Sequence, residues 1–88
     1  MQVTFNKKFL KDLANIPTKT RTRVEELVFK EIPNQSSISQ IQNLEKLKGY
    51  HQYYRIRVGD YRIGLKITDN ELSFERILNR KEIYKIFP

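Results

Sequence analysis

Residues 53–67 read YYRIRVGDYRIGLKI, and their polarity alternates with a period of two. Tyr54, Ile56 and Val58 alternate with Arg55 and Arg57; Tyr61, Ile63, Leu65 and Ile67 alternate with Arg62, Gly64 and Lys66. That pattern predicts two half-buried strands. Between them stands Gly59-Asp60, and glycine first in a two-residue loop suits a type II′ hairpin turn. Such a turn pairs Val58 with Tyr61, Arg57 with Arg62, Ile56 with Ile63, and Arg55 with Gly64. One face then carries Ile56, Val58, Ile63 and Leu65. The other carries Arg55, Arg57, Arg62 and Lys66, with Arg57 directly across from Arg62. Like charges directly opposite destabilise a sheet, within the roughly 0.2–1 kcal/mol range of cross-strand pairs. Two readings of this face stand open. It is a solvated cationic surface that discourages edge pairing, or a surface for phosphate, which the planar, always charged and bidentate guanidinium suits. Gly64, opposite Arg55, is expected to leave an open spot where a ligand approaches.

Downstream, Asp69-Asn70 predicts a second turn and Leu72–Leu78 a third strand. Residues 80–87 predict a short amphipathic helix, with Ile83 and Phe87 on one side and Arg80 and Tyr84 one turn apart on another. Upstream, Gln2–Phe5 alternates weakly and predicts a short strand. Asn6 is the expected N-cap of a helix over Lys7–Asn15, where Phe9, Leu10, Leu13 and Ile16 follow helical spacing. Pro17 closes it, and Thr18 is expected to cap a second helix running to about Glu31. Val24, Leu27, Val28 and Ile32 form the stripe of that helix, which Pro33 ends. So short a turn between the two implies an antiparallel helical hairpin. Asn34–Gln40 is a polar loop, and Ile38, Ile41 and Leu44 fit either a helical turn or a segment laid on the core. The fold class is α+β: an N-terminal strand and a helical hairpin packed on one face of an antiparallel meander, with a short C-terminal helix. Eighty-eight residues are expected to form a single domain, 1–88.

Composition narrows the chemistry. The absence of cysteine excludes disulfides, a thiolate nucleophile and a Cys-based zinc site. Apolar runs are short and broken by charge, and the N-terminus has no signal-peptide pattern, so the expectation is a cytoplasmic protein with no membrane partner. Seventeen Lys and Arg against ten Asp and Glu give a net charge of +7, which points to polyanionic partners. The excess concentrates in residues 46–62, where Lys46, Lys48, Arg55, Arg57 and Arg62 face a single acid, Asp60.

Conventional catalytic groups are few. His51 has no acidic partner at recognisable spacing and reads as a loop residue. Asp60 and Asp69 occupy turns, where aspartate supports local backbone hydrogen bonds. Glu71, Glu75 and Glu82 form no metal-ligand or paired-carboxylate pattern, and no glycine-rich phosphate loop occurs. No metal or cofactor is expected. RNA cleavage needs neither, because the 2′-hydroxyl beside the scissile phosphate is the nucleophile. A protein accelerates that reaction by aligning the hydroxyl and neutralising charge on the phosphoryl oxygens. Arginine supplies the electrostatic part, and Tyr84, if it faces Arg55, Arg57, Arg62 and Arg80, is a candidate general base.

The run EKLKGYHQYYRIRVGDYRIGLKI, with ILNRKEIYKIF after it, resembles the RelE/ParE superfamily of type II toxin–antitoxin toxins. The resemblance is most specific in Leu47-Lys48-Gly49-Tyr50, in Tyr54–Ile63 (YRIRVGDYRI) and in Asn79–Tyr84 (NRKEIY). It implies a ribosome-dependent mRNA endonuclease of the RelE branch (an mRNA interferase), inhibiting translation without metal and leaving a 2′,3′-cyclic phosphate. It implies that Arg55, Arg57 and Arg62 bind the phosphate, and that Arg80 and Tyr84 serve in proton transfer or leaving-group stabilisation. Lys46, Lys48, Lys66 and Lys81 are the expected further RNA contacts. The implied partners are a cognate antitoxin, the ribosome and mRNA, with operator DNA reached only through the antitoxin complex. Many relatives have histidine where this chain has Asn79, a departure that argues against histidine-dependent proton transfer at that position. Some have lysines in place of Arg55 and Arg57. The alternatives from other classes are a ParE-like inhibitor of DNA gyrase that cleaves nothing, and a non-catalytic nucleic-acid-binding module.

Overall fold

The computed structural model describes residues 1–69 and 71–88. The chain runs β1 (Gln2–Phe5), α1 (Lys7–Ala14), α2 (Thr18–Glu26), β2 (Leu44–Lys46), β3 (Tyr53–Val58), β4 (Tyr61–Thr68), β5 (Glu71–Asn79) and α3 (Arg80–Ile86). One five-stranded sheet has the order β1-β5-β4-β3-β2. β1 pairs with β5 in parallel; every other pairing is antiparallel. The β3–β4 register is the one expected from the sequence: Val58 opposite Tyr61, Arg57 opposite Arg62, Ile56 opposite Ile63, Arg55 opposite Gly64. Gly59 takes φ 58°, the left-handed position a type II′ turn requires of its first residue. In the expected turn at Asp69-Asn70, Asp69 has φ 52° and Asn70 lies outside the described residues.

The apolar stripes meet on one side of the sheet. Phe9 and Leu13 of α1 and Val24 of α2 are buried together with Ile56, Ile63, Leu65, Leu72, Phe74 and Ile77 of the strands. Asn6 caps α1 as expected, its Oδ1 accepting from Lys8 N at 2.8 Å. Thr18 does not cap α2. Pro17, extended at ψ 143°, leads into the helix and its carbonyl accepts from Arg21 N, so Thr18 is already the first helical residue. The helical path continues to Glu31 as expected, but its last turn is wider, with Ile32 N bonded to Leu27 O. Leu27, Val28 and Ile32 are all buried there. Ile38–Gln40 is a short 3₁₀ turn that delivers Ile41 to the core, and Leu44–Lys46, too short to read from alternation, is an edge strand on β3.

A bulge between Gly64 and Leu65 skips Glu75, so Arg76 pairs with Gly64 and Phe74 with Leu65. β1 ends opposite Phe74, which leaves the far part of the β5 edge without a strand. Asp12 of α1 covers it. Its carboxylate accepts from Ile77 N (3.2 Å) and takes a bidentate pair of bonds from Arg76, 2.7 Å to Nε and 3.1 Å to Nη2. The hydrogen bond to Asp12 raises the Arg76 pKa above its ordinary value against the opposing effect of burial. This pair ties the first helix to the last strand, and hence to α3 beyond it.

Candidate active site

Asn79 ends β5 by capping α3, its Oδ1 accepting from Lys81 N at 3.0 Å. The N–H of Arg80 donates to Asp60 O at 2.9 Å, so the helix starts against the β3–β4 turn. Ile83 is buried from the next turn, which leaves Tyr84 outside it, 59% exposed. Tyr84 returns over β3, its ring centroid 5.2 Å from Arg55 Cζ. That is cation–π distance, within the ~6 Å over which a ring attracts a guanidinium. Arg57, two residues along the same face, keeps 55% of its side chain exposed.

The structure adds an acid to this face. β2 pairs Glu45 with Arg55, and the Glu45 carboxylate lies 3.3 Å from Arg55 Nη2 and 3.9 Å from Arg57 Nη1. Glu45 sits one residue ahead of the basic stretch, and a strand of only Leu44, Glu45 and Lys46 offers too little alternation to reveal its side. Pairs this exposed contribute little stability, about 0–1 kcal/mol. Their effect is orientation: one carboxylate aligns two guanidinium groups.

Arg62 is drawn back from the open face. It is only 9% exposed, and its Nη1 donates to Gly59 O (2.7 Å) and Tyr61 O (2.9 Å). Across from Arg57, it folds back onto its own hairpin turn and satisfies carbonyls there. It shares that turn with the N–H of Arg80, whose residue is exposed.

The open spot expected at Gly64 is filled. A Cβ built on Gly64 would meet the Phe87 ring at 2.7–2.8 Å, so glycine serves to seat an aromatic ring rather than a ligand. Phe87 also meets Tyr53 edge to face at 5.7 Å. The gap between Leu47, Arg55, Ile83, Tyr84 and Phe87 is about 10 Å³, room for no more than about one water. The open part of the arginine face is the Arg57 side of Tyr84, where the Arg57 side chain is 55% exposed.

The lysines divide. Lys66 shares the arginine face, but Gly64 and its covering ring separate it from Arg62, and its ammonium lies 5.8 Å from the Tyr53 ring. Lys46 pairs with Tyr54, on the opposite side of the sheet from Arg55, because Glu45 takes the outer position. Lys48 is exposed in the turn after β2, and Lys81 is exposed on the first turn of α3. Among the described residues, no group of three or more His, Cys, Asp or Glu side chains is placed to hold a metal ion. No helix of the described residues is long and apolar enough to cross a membrane.

The arrangement is a cationic platform with one phenol and one carboxylate on it. Known proteins resemble the chain over nearly its whole length. The family of ParE toxins of type II toxin–antitoxin systems (parDE) matches residues 3–84. Toxin RelE3 of Methanocaldococcus jannaschii is 45% identical over 89 residues, covering 100% of both chains. In the RelB–RelE antitoxin–toxin complex from Methanococcus jannaschii, the matching chain has a TM-score of 0.82 at 44% identity, over 97% of this chain and 99% of that one. The isolated Escherichia coli RelE toxin shares the fold, with a TM-score of 0.66 at 17% identity over 96% and 90% of the two chains. This chain therefore belongs to the RelE/ParE superfamily of type II toxin–antitoxin toxins.

Proposed function

We propose that this toxin is a ribosome-dependent mRNA endonuclease, held inactive by a cognate antitoxin. The observation that carries the reading is Tyr84 stacked on Arg55 beside the exposed Arg57, which brings a phenol and two guanidinium groups together. In the reaction the 2′-oxygen bonds to phosphorus as the bond from phosphorus to the 5′-oxygen breaks. The proton leaves the 2′-hydroxyl for a base, and the departing 5′-oxygen takes one up. The products are a 2′,3′-cyclic phosphate and a 5′-hydroxyl end.

Arginine has no acceptor capacity at working pH. The two groups beside Arg55 with that capacity are the Tyr84 oxygen and the Glu45 carboxylate. Arg55 and Arg57 neutralise charge on the phosphoryl oxygens. Arg80, at the exposed start of α3, is assigned to the leaving-group side. Arg62 supports the turn on which Arg57 and Arg80 are mounted, through its bonds to Gly59 and Tyr61. The antitoxin assignment rests on the RelB–RelE complex formed by a relative at 44% identity.

A second reading has its own support. The matching family is described as ParE toxins, and a guanidinium folded onto its own turn leaves one fewer for a phosphate, which suits a gyrase inhibitor. Toe-printing of an mRNA on translating ribosomes, with and without the protein, separates the two. New stops within the A-site codon, with cyclic-phosphate ends and loss of both in Arg57→Ala, are the expected result. Intact mRNA accompanied by DNA breaks in the cell refutes the nuclease reading.

A further inference from the structure

β2 covers β3 only from Tyr54 to Ile56. Beyond it the β3 edge at Arg57, Val58 and Gly59 faces the end of the second helix, and a cleft of about 390 Å³ opens between them. Arg57 lines this cleft and also belongs to the arginine face, so the two meet at one residue. The volume lies at the small end of ordinary ligand pockets, ~300–1,000 Å³, and accommodates one nucleoside rather than two.

The lining is graded. Leu27 and Val58 offer apolar surface against which a flat ring can lie. Gln35, Gln42 and Asn43 bring amides, and the Gln42 and Asn43 side chains make no hydrogen bond among the described residues. Gln35 Nε2 donates to Gln40 O at 3.4 Å, while its Oε1 is buried and accepts nothing from the described residues. A buried acceptor of this kind favours a ligand that brings an N–H donor. Arg23, bonded to Glu31 at 3.1 Å, stands on the helix side of the cleft. Side-chain amides offer a donor and an acceptor side by side, the pattern that meets the N6/N7 edge of adenine. Unpaired RNA bases are bound in this manner, splayed from the strand and read on their edges.

We propose that the cleft beside Arg57 is a base-recognition subsite that takes one unpaired purine of the RNA strand, and so selects where the backbone is cut. The inference rests on the nuclease reading, in that the purine's own phosphate falls on Arg57. The competing occupant is a strand of an antitoxin along the β3 edge beyond Arg57, whose own N–H already donates to Asn43 O at 3.3 Å. The amides, the unpartnered acceptor and the continuity with Arg57 favour the nucleotide.

The test is an NMR titration of the ¹⁵N-labelled protein with AMP, GMP, CMP, UMP and inorganic phosphate, reading the side-chain amide signals of Gln35 and Gln42. The expected result is that the purine nucleotides move these signals and bind at least about fivefold more tightly than the pyrimidines, within the range for a single base contact. Gln42→Ala, an exposed position, removes the preference while leaving the response of Arg57 to inorganic phosphate unchanged. Shifts confined to the arginine face and equal for all five ligands overturn the subsite, as does Gln42→Ala that keeps the preference but loses antitoxin binding. A protein that reads purines yet leaves ribosomal mRNA whole refutes the nuclease reading alone. One that cuts mRNA at unchanged sites after Gln42→Ala refutes the subsite alone.

Discussion

Gly64→Ala isolates the contact that closes the arginine face. No left-handed φ is needed at Gly64, so its backbone accepts alanine; the opposition comes from the Phe87 ring, whose atoms would lie 2.7, 2.7 and 2.8 Å from the new Cβ. Ordinary contact begins near 3.4 Å, so the ring must retreat by more than half an ångström. Overpacking of this kind costs about 1–3 kcal/mol, and a partly exposed ring with room to shift places the cost near the lower end, about 1 kcal/mol. For a domain of this size that lowers Tm by about 4–8 °C. In a Phe87→Ala background the obstacle is gone, and alanine in place of glycine within a strand becomes favourable by about 0.5–1 kcal/mol. The sign of the substitution therefore reverses between the two backgrounds. Urea denaturation of the four proteins of this cycle measures the coupling directly. A cost at Gly64→Ala that persists unchanged after Phe87→Ala refutes the account of Gly64 as a seat for the ring. Because Phe87 and Tyr84 border the same small gap over Arg55, Gly64→Ala should also weaken growth arrest more than its stability loss explains.

Tyr84→Phe keeps the ring over Arg55 and removes the hydroxyl, whereas Glu45→Gln keeps the shape and removes the charge; in single-turnover cleavage on ribosomes, the one that is the base loses about 10²–10⁴ in rate and the other far less. Equal, small losses in both refute a proton-transfer role for either. Arg57→Ala should reduce cleavage by about 10²–10³ with an unchanged Tm, while Arg62→Ala, which strips two turn carbonyls of their donor, should lower stability by about 1–3 kcal/mol as well. Indistinguishable melting curves for the two variants contradict the assignment of Arg62 to the hairpin. Asp12→Ala unpairs Arg76 and the Ile77 N–H, and with side chains 12% and 23% exposed the expected loss is about 2–3 kcal/mol by chemical denaturation. Since pairing raises the Arg76 pKa, its contribution is complete from neutral pH up to the ordinary guanidinium range and on the alkaline side fades only as pH rises through the raised value. A stability difference between wild type and Asp12→Ala that is lost between pH 8 and pH 10 would count against it.

Local spacing settled a large part of this molecule. A two-residue period with Gly59-Asp60 in its middle admits one register, because a shift by a single residue would turn Ile56 and Ile63 out to water and bury Arg55. The helices follow likewise from apolar spacing bounded by Asn6, Pro17 and Pro33. What the linear chain leaves undetermined is which groups from distant segments share one surface. Glu45 reaches Arg55 and Arg57 only because a three-residue strand pairs at the sheet edge, and three residues carry too little pattern to announce it. Phe87 fills the space over Gly64 because α3 turns the chain back across the sheet, a long-range contact that no period encodes. The side chain of Arg62 bends to its own turn because carbonyls beside a tight hairpin need donors, and that path also separates it from the opposing charge of Arg57. Composition and alternation determine where charge lies along a strand; the approach of other strands and helices decides which of those charges remain free to meet a substrate.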